Sequence, residues 1–215
     1  MAERFINLRP WEVRAFLAGR KTRLTRVVKP QPIGRQRVIE GLAHITKGMN
    51  PADDGAVWYV ADGIGPGIEI RCSFGSPGDV LIGREKWFEE YDPMTVRPFS
   101  PPRYCYAATH EGEWPVFMDG NGSAEVNRDG SFKSPWRSAS TMPRDASRIR
   151  LHVEAVRVQR VQEITEEEAI AEGSANIGGT FHKDNFAAQW DIDNKRHPWA
   201  SNPWTWVGTV RMENT

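Results

Sequence analysis

The sequence predicts an α+β fold that is mainly β, and three observations favour this class. Short strand-like runs bounded by Gly, Pro or Asp follow one another through the body of the chain. A long alternating run at residues 149–161 slips twice in phase, which is typical of a bulged strand in a small barrel. Helical periodicity is confined to short stretches. With 215 residues and no internal repeat, we expect a single domain spanning residues 1–215.

The first predicted element is a helix over residues 10–18. Pro10 suits the first helical turn, and Val13 and Phe16 lie at helical spacing. Gly19 then offers a left-handed cap at little cost in free energy. This helix leads directly into the basic run GRKTRLTR.

The predicted sheet consists of short strands, the long alternating strand and a final strand. The short strands cover Ala56–Val60, Ile68–Arg71, Asp79–Arg84 and Arg103–Ala107. Residues 108–147 are rich in Gly, Ser, Asn, Asp and Pro, which predicts a long irregular insertion. The long strand follows this insertion, and Thr205–Arg211 is the last predicted strand.

Two short helices are predicted between the last two strands. Thr165 followed by Glu168 is a capping-box signature, and Gly173 ends the helix that begins there. The second helix is predicted at Asn185–Trp190. The expected architecture is therefore a small twisted barrel with short helices at its side.

The charge balance argues against a protein whose main work is gripping a long nucleic acid. Lys plus Arg and Asp plus Glu each number 28, which gives a formal net charge of zero, whereas affinity for a phosphate backbone comes from many basic residues. The charges are segregated, because residues 1–40 hold ten basic and three acidic residues while residues 161–200 hold three and eight. We expect these two segments to face each other across a cleft for a small ligand.

The two cysteines, Cys72 and Cys105, form no Cys-x-x-Cys pair, and the five histidines show no metal-binding spacing. We therefore expect reduced thiols, no metal and no cofactor. No apolar run reaches the roughly 18 residues that span a bilayer, and the first residues lack the apolar core of a signal peptide. The sequence predicts a cytoplasmic protein without membrane contact.

The run GRKTRLTR concentrates chemistry-bearing residues on one short connection. Lys21 is a candidate proton acceptor, and Arg26 suits pairing with an anion. Thr22 and Thr25 supply hydroxyl groups that are candidate nucleophiles. Connections between regular elements often carry binding and catalytic residues. The alternative interpretation is a solvated basic surface loop.

Glu172 occupies an unfavourable place in the predicted helix that follows Thr165. It lies at the C-terminal end, where the helix dipole disfavours an anion, and one turn beyond Glu168, which carries the same charge. A carboxyl group in such a position is suited to exchanging a proton as a general acid and base. The alternative is a surface glutamate that the helix tolerates.

Four stretches of the sequence carry a likeness to a known family. They are GRKTRLTR, GSPGDVLIGREKW, MPRDASRIRLHVEAVRVQRVQEITEEEAIAEG and NPWTWVGTVRM. Together they resemble the ASCH domain family, in particular its larger phage- and prophage-associated members, over about residues 5–35, 72–90 and 141–211. The resemblance implies a PUA-like fold, a small twisted β-barrel with flanking helices, which agrees with the strands and bulge predicted above.

A small bacterial member of that family is an amidohydrolase that cleaves N4-acetylcytidine to cytidine and acetate with a lysine, a threonine and a glutamate. Its lysine, in a Gly-Arg-Lys-Thr run, implies Lys21 here, and its glutamate, at the end of a helix, implies Glu172. Its threonine follows the lysine by three residues, where this chain has Leu24. The nucleophile is therefore Thr25 after a shift of one residue, or Thr22, or a water held by Lys21 and Glu172.

The resemblance implies a metal-independent amidohydrolase that removes the acyl group from N4-acylated cytidine, with Lys21, Thr25 and Glu172 as catalytic residues. Its partner would be a small modified pyrimidine nucleoside in preference to RNA. A second function stays open, because PUA-like domains commonly bind RNA. Leu24 at the position of the family's threonine would suit a module that only binds RNA or a modified nucleotide.

Five residues, two of them already named in the run GRKTRLTR, are candidates for substrate binding. They are Thr22, Arg26, Arg84, Glu85 and Trp87. Trp87 is a candidate for stacking on the pyrimidine, and core packing is the alternative. Arg84 and Glu85 end a predicted strand, where they either contact the ligand or form a structural ion pair.

Overall fold

The computed structural model describes residues 1–31, 37–39, 56–60, 68–92, 97–111, 126–131, 133–174 and 179–213. These residues contain more strand than helix, and no helix among them is long and apolar enough to cross a membrane. They divide into two compact units. The first comprises Met1–Ile6, Ala15–Ile82 and Ile149–Thr215, and the second comprises Asn7–Arg14 and Gly83–Arg148. That the whole chain forms one domain stays a prediction.

The largest sheet has five strands that run from edge to edge without closing. Their order is β1 (Glu3–Asn7), β6 (Val80–Arg84), β11 (Ile149–Arg160), β12 (Trp204–Met212) and β2 (Arg23–Val27). A barrel requires its two outermost strands to pair, and β1 and β2 do not pair. Within the described part of the chain the sheet is therefore open, and the predicted closure into a barrel is wrong there.

The long strand β11 carries the bulge that the sequence predicts. It pairs antiparallel with β12 from Leu151 to Arg160, and its register shifts between Val153 and Ala155. Before the shift, every second side chain is buried, as the alternation of apolar and polar residues requires. The shift moves the following residues to the other face, which explains the observed slip in the apolar pattern.

The segment after the first helix is a strand for most of its length. Helix α1 (Pro10–Leu17) is confirmed, and Gly19 has a φ of 67°, the left-handed cap predicted for it. The prediction of one short connection through GRKTRLTR is wrong from Arg23 onward, because Arg23–Val27 is strand β2 and pairs with β12. The pairing places Leu24 in the core, where it has no exposed surface.

The two helices near the C-terminus are capped in different ways. Helix α2 (Glu166–Ala171) begins with the predicted capping box, in which Thr165 and Glu168 exchange backbone-to-side-chain hydrogen bonds of 3.2 and 3.1 Å. Helix α3 (His182–Asp193) begins three residues earlier than predicted. Its first amides, those of His182 and Lys183, donate to the carboxylate of Glu166 at 2.6 and 2.9 Å. A cap from another helix leaves no local sequence signature, so the early start was not predictable.

Among the described residues of the first unit, buried apolar side chains lie on the large sheet and beside the last two helices. Side chains from the five-stranded sheet and the turn before it include Leu24, Phe74, Leu81, Ile82, Leu151, Val207 and Val210. A second cluster consists of Val161, Ile164, Ala169, Phe186 and Trp190. This cluster contains residues from both α2 and α3, so it fixes the short helix α2 by burial of apolar surface.

The remaining strands form small antiparallel sheets. In the first unit β3 (Arg37–Ile39), β4 (Ala56–Val60) and β5 (Ile68–Arg71) form a three-stranded sheet. In the second unit β7 (Trp87–Glu89) pairs with β10 (Tyr104–Tyr106), and β8 (Tyr91–Asp92) pairs with β9 (Arg97–Pro98). The four predicted short strands are confirmed to within one residue at each end.

The described parts of residues 108–147 are irregular, and their description as an insertion stays a prediction. These parts contain two 3-10 turns, Ala139–Thr141 and Arg144–Ala146. Residues 127–131 form a tight turn in which the amide of Asn127 donates to the carbonyl of Ser131. Residues 112–125 lie outside the described residues.

Candidate functional site

Strand β2 brings the side chains at positions 21, 23 and 25 to one side. Alternate residues of an extended chain point the same way, so Arg23 and Thr25 share a face while Leu24 enters the core on the other. Lys21 precedes the strand and is held by its own amide, which donates to the carbonyl of Ala15 at 3.2 Å. A threonine four residues after the lysine, as Thr25 is here, therefore lies on the lysine's side of the extended backbone.

Glu172 is fixed at the end of α2 by a Schellman turn. The amide of Gly173 donates to the carbonyl of Ile170, and that of Ser174 donates to the carbonyl of Ala169. Gly173 has a φ of 80°, and a Cβ at that position would lie 2.8 Å from the Cβ of Ala15. Only glycine permits this close approach, which holds the C-terminal end of α2 against the residues around Lys21.

The carboxylate of Glu172 is shared between Lys21 and Thr25. The Nζ of Lys21 lies 2.5 Å from Oε2 of Glu172 and 2.7 Å from its main-chain carbonyl oxygen. The hydroxyl of Thr25 donates to Oε1, the other carboxylate oxygen. The three residues with predicted catalytic roles are therefore in direct contact. The hydroxyl of Thr25 therefore has Glu172 as its hydrogen-bond acceptor, and not Lys21, which the sequence analysis named as a candidate proton acceptor.

Arg23 and Glu168 extend this contact into a network of charges. The Nη1 of Arg23 lies 2.5 Å from Oε1 of Glu168, and its Nε lies 3.6 Å from Oε1 of Glu172. Arg157 also pairs with Glu168. Burial acts to raise the pKa of Glu168, but hydrogen bonds from Arg23, from the amide of Thr165 and from Arg157 outweigh burial and hold that pKa below its ordinary value. The pairs of Arg23 join the basic N-terminal segment to the acidic C-terminal one by direct contact, where the sequence analysis expected the two to face each other across a cleft.

The centre of this network is almost completely buried. The exposed fractions are 2% for Lys21, 5% for Arg23, 5% for Thr25 and 2% for Glu172. Charges removed from water to this extent must be paired, and their mutual attraction is strong because water does not screen it. The same burial means that a substrate reaches the Thr25 hydroxyl only after the side chains that cover it are displaced.

Thr22 and Arg26 lie beside this cluster but make different contacts. Thr22 is exposed, and its main chain pairs with the carbonyl of Ala171 and the amide of Val210. Arg26 donates from Nη1 to the carbonyl of Thr25 at 3.0 Å. The described contacts of Glu172 include Thr25 and Arg23. Of the two candidate threonines, Thr25 is the one whose hydroxyl the structure brings to the carboxylate.

Arg84, Glu85 and Trp87 belong to the second unit. Glu85 is buried and accepts two hydrogen bonds from Arg148, at 2.9 and 3.1 Å. This arrangement is the structural ion pair that the sequence analysis left open, although the partner is Arg148 and not Arg84. Arg84 donates to the carbonyl of Ser140 at 3.1 Å.

Trp87 packs in the apolar interior of the second unit. It is 4% exposed and forms a cluster with Met142 and Ala146. Tyr104 meets its ring edge-on at a centroid distance of 5.7 Å, and the guanidinium of Arg137 lies 5.1 Å from the ring centre. These contacts correspond to the core-packing alternative for Trp87.

Arg23 and Glu168 are the members of the network that the sequence analysis did not propose. The sequence analysis gave Arg23 no catalytic or binding role, because it interpreted GRKTRLTR as a loop, in which alternate residues do not share a face. Recognising residues 23–27 as a strand would have placed Arg23 on the side of Lys21 and Thr25. Among the described residues, no group of three or more His, Cys, Asp or Glu side chains is arranged to hold a metal ion.

Comparisons with protein-family models, curated proteins and solved structures find no match to this chain. The resemblance to the ASCH domain family therefore stays a prediction that rests on the four quoted stretches.

Proposed function

We propose that the chain is an amidohydrolase that removes the acyl group from N4-acylated cytidine. The observation that carries this proposal is the contact of one buried carboxylate, Glu172, with both the Thr25 hydroxyl and the Lys21 amine. Hydrolysis of an amide needs a nucleophile, a base that takes its proton and an acid that returns a proton to the departing amine. Thr25 and Glu172 are suited to these roles.

The first half of the reaction transfers the acyl group to the enzyme. Glu172 takes the proton of the Thr25 hydroxyl while Oγ1 of Thr25 bonds to the acyl carbon. This addition gives a tetrahedral oxyanion. The bond between the acyl carbon and N4 then breaks, and the protonated Glu172 returns its proton to N4. Cytidine leaves, and the acyl group remains on Thr25 as an ester.

The second half of the reaction releases the acid. Glu172 takes a proton from a water molecule, whose oxygen attacks the ester carbon. The bond to Thr25 breaks, and Oγ1 recovers the proton from Glu172. Lys21 serves throughout as a fixed positive partner for Glu172, since its Nζ binds both the side chain and the main-chain carbonyl of that residue.

The resemblance to the ASCH domain family supports the choice of substrate. Its N4-acetylcytidine hydrolysis comes to this chain as part of the proposal, and so does a PUA-like fold whose large sheet is open among the described residues. Lys21 and Glu172 match the residues that the resemblance implies, and their contact at 2.5 Å agrees with a shared role. The cytoplasmic location and the metal-independent reaction predicted from the sequence belong to the same proposal.

The burial of the cluster favours a second function. If the network of Lys21, Arg23, Thr25 and Glu172 only stabilises the fold, the chain is a non-enzymatic module that binds RNA or a modified nucleotide on another surface. Buried ion pairs commonly have such a structural role. In that case the cluster has no chemistry to perform, and substitutions within it change stability alone.

The decisive experiment is incubation of the protein with N4-acetylcytidine while the ultraviolet shift to cytidine is followed, with and without a chelator. We expect chelator-insensitive turnover. Glu172→Gln and Thr25→Val, which keep the size of each side chain, should reduce kcat by about 10²- to 10⁴-fold, the usual contribution of acid–base catalysis. Thr209→Val is the matched control, because Thr209 is an exposed threonine on the neighbouring strand β12.

Other outcomes of this experiment are equally clear. A folded wild-type protein without turnover favours the binding module, which a titration with N4-acetylcytidine and with a short RNA then tests. Loss of turnover with chelator contradicts the metal-independent mechanism. Mass spectrometry of the enzyme during turnover separates the nucleophiles, since an acyl group on Thr25 supports the threonine and its absence supports a water held by Lys21 and Glu172.

A further inference from the structure

Arg23 has one guanidinium edge that is buried and lacks hydrogen-bond partners in the described part of the chain. Its Nη1 is paired with Glu168. Nε and Nη2 have no hydrogen-bond acceptor there, and the 3.6 Å between Nε and Oε1 of Glu172 exceeds hydrogen-bond length. Buried donors are nearly always satisfied, so each exception requires a physical explanation.

Arg148 shows which kind of chemical group the Nε–Nη2 edge of an arginine binds. Arg148 directs Nε and Nη2 at the two carboxylate oxygens of Glu85, at 2.9 and 3.1 Å. These two donors are parallel and coplanar, so they match a planar group with two oxygens. A carboxylate, or the carbonyl oxygen that becomes one, is therefore the group that fits the corresponding edge of Arg23.

The charge around Arg23 favours a ligand with a single negative charge. Lys21, Arg23 and Arg157 contribute three positive charges, and Glu168 and Glu172 contribute two negative ones. A monoanion brings these five residues to zero net charge. A dianion such as phosphate would leave an excess of negative charge beside two carboxylates, which is costly in a buried site.

We infer that the Nε–Nη2 edge of Arg23 is the acyl subsite, which binds the acyl carbonyl oxygen of the substrate and then both oxygens of the carboxylate product. Arg23 Nε and the Thr25 hydroxyl lie against the same oxygen of Glu172. A carbonyl carbon attacked by Thr25 therefore has its oxygen next to the guanidinium group. The acyl assignment rests on the proposed function, whereas carboxylate binding is measurable without turnover.

The test is a titration of the wild-type protein with acetate, followed through the nitrogen-15 NMR signal of the Arg23 Nε–H. We expect a saturable shift with a dissociation constant in the millimolar range, and a much weaker shift with acetamide, which has the same shape and one carbonyl oxygen but no charge. Arg23→Lys keeps a positive charge beside Glu168 but loses the two-donor edge. It should weaken acetate binding about 10-fold, because the two parallel donors are lost. It should also abolish competitive inhibition of turnover by acetate.

Arg150→Gln is the matched control. Nε and Nη2 of Arg150 already donate to Glu213 and Glu3, each at 2.8 Å, so this variant should bind acetate as the wild type does. A wild-type Arg23 signal that does not respond to acetate, or that responds more strongly to inorganic phosphate, overturns the inference. If Arg23→Lys fails to fold, the contrast between acetate and acetamide on the wild type still decides.

The two proposals fail separately. Acetate binding at Arg23 in a protein that does not hydrolyse N4-acetylcytidine supports a carboxylate subsite and refutes the proposed reaction. Turnover by an enzyme whose Arg23 signal ignores acetate supports the reaction and refutes the subsite.

Discussion

Glu85 in the second unit and Glu172 in the first are both buried glutamates, but their carboxylates are bound differently. Arg148 holds both oxygens of Glu85, and its guanidinium group also lies 4.1 Å from the ring centre of Tyr106. Glu172 divides its two oxygens between the Lys21 amine and the Thr25 hydroxyl. A carboxylate bound by one rigid partner is a structural group, whereas one that faces a hydroxyl is placed to accept its proton.

The difference extends to how completely the arginine of each region is satisfied. Arg148 uses its two-donor edge on a carboxylate of the same unit, which completes a pair. Arg23 is paired with Glu168 through Nη1 alone, and its remaining donors lack hydrogen-bond acceptors among the described residues. The second unit therefore gains specificity of packing from its pair, while the first retains binding capacity inside its cluster.

The largest expected effect is on stability and comes from breaking the complete pair. Arg148→Ala leaves the Glu85 carboxylate buried without its partner and removes the packing on Tyr106. We expect a loss of about 4–5 kcal/mol in the free energy of unfolding, as for other buried pairs from which one partner is removed. Urea unfolding followed by tryptophan fluorescence measures this loss.

Arg150→Ala is the control for that measurement, because Arg150 makes ion pairs with Glu3 and Glu213 that are more than one-third exposed. Exposed pairs contribute about 0.2–1 kcal/mol. Equal losses for the two variants would contradict the assignment of Arg148 and Glu85 as a buried structural pair.

A smaller loss of stability is expected at the shared carboxylate. Lys21→Met removes the amine but keeps a long apolar stem, and Glu172 retains Thr25 and Arg23 as neighbours. We expect a loss of about 3 kcal/mol, near the lower end for a broken buried pair. Thermal or urea unfolding of this variant beside Arg148→Ala makes the comparison, and a loss exceeding that of Arg148→Ala would show that the Glu172 cluster is the stronger structural element.

Gly173→Ala tests how tightly the end of α2 is held beside Lys21. The new Cβ would lie 2.8 Å from the Cβ of Ala15 and 3.3 Å from that of Lys21, at a φ of 80°. We expect a loss of about 2 kcal/mol from backbone strain and displacement, together with reduced turnover because Glu172 moves. Gly19→Ala has a similar φ of 67° but open space around the added atom, so it should cost about 1 kcal/mol and leave the distance from Lys21 to Glu172 unchanged.

Acidification should produce the smallest change. The folded-state pKa of Glu168 is lowered, so its contribution to stability is fully present above the ordinary glutamate pKa, about 4.3, and is lost as the pH falls through the lower folded value. Glu168→Gln keeps a capping-box side chain and removes the charge. The variant's unfolding free energy should therefore depend less on pH below about pH 5, where titration of this carboxyl begins; parallel curves for variant and wild type would refute this contribution.

The parts of the molecule that the sequence predicts well depend on neighbouring residues. The capping box at Thr165, the left-handed cap at Gly19 and the bulge in β11 each follow from a short local pattern. Lys21 and Glu172 were also identified locally, as a basic residue among hydroxyls and a carboxylate at the wrong end of a helix. The segregation of opposite charges predicted that their two segments face each other, and the structure adds the direct contact of the two side chains.

The parts that were missed depend on residues far apart in the chain. Glu85 finds its partner 63 positions away, at Arg148, and no local pattern predicts that pairing. The start of α3 is set by a carboxylate on α2. The face on which Arg23 lies depends on pairing with β12, and closure of the sheet depends on where its two edge strands lie.

The carboxylate of Glu166, which accepts the first two amide protons of α3, makes the two helices a single cooperative element. Helix α2 has six residues, fewer than a helix needs to persist by itself in water. Formation of α3 secures the first turn of α2, and α2 in turn presents Glu172 from its other end. Hydrogen exchange in α3 and at Gly173 should therefore report one common opening event, which dismantles the site and unwinds the helices together.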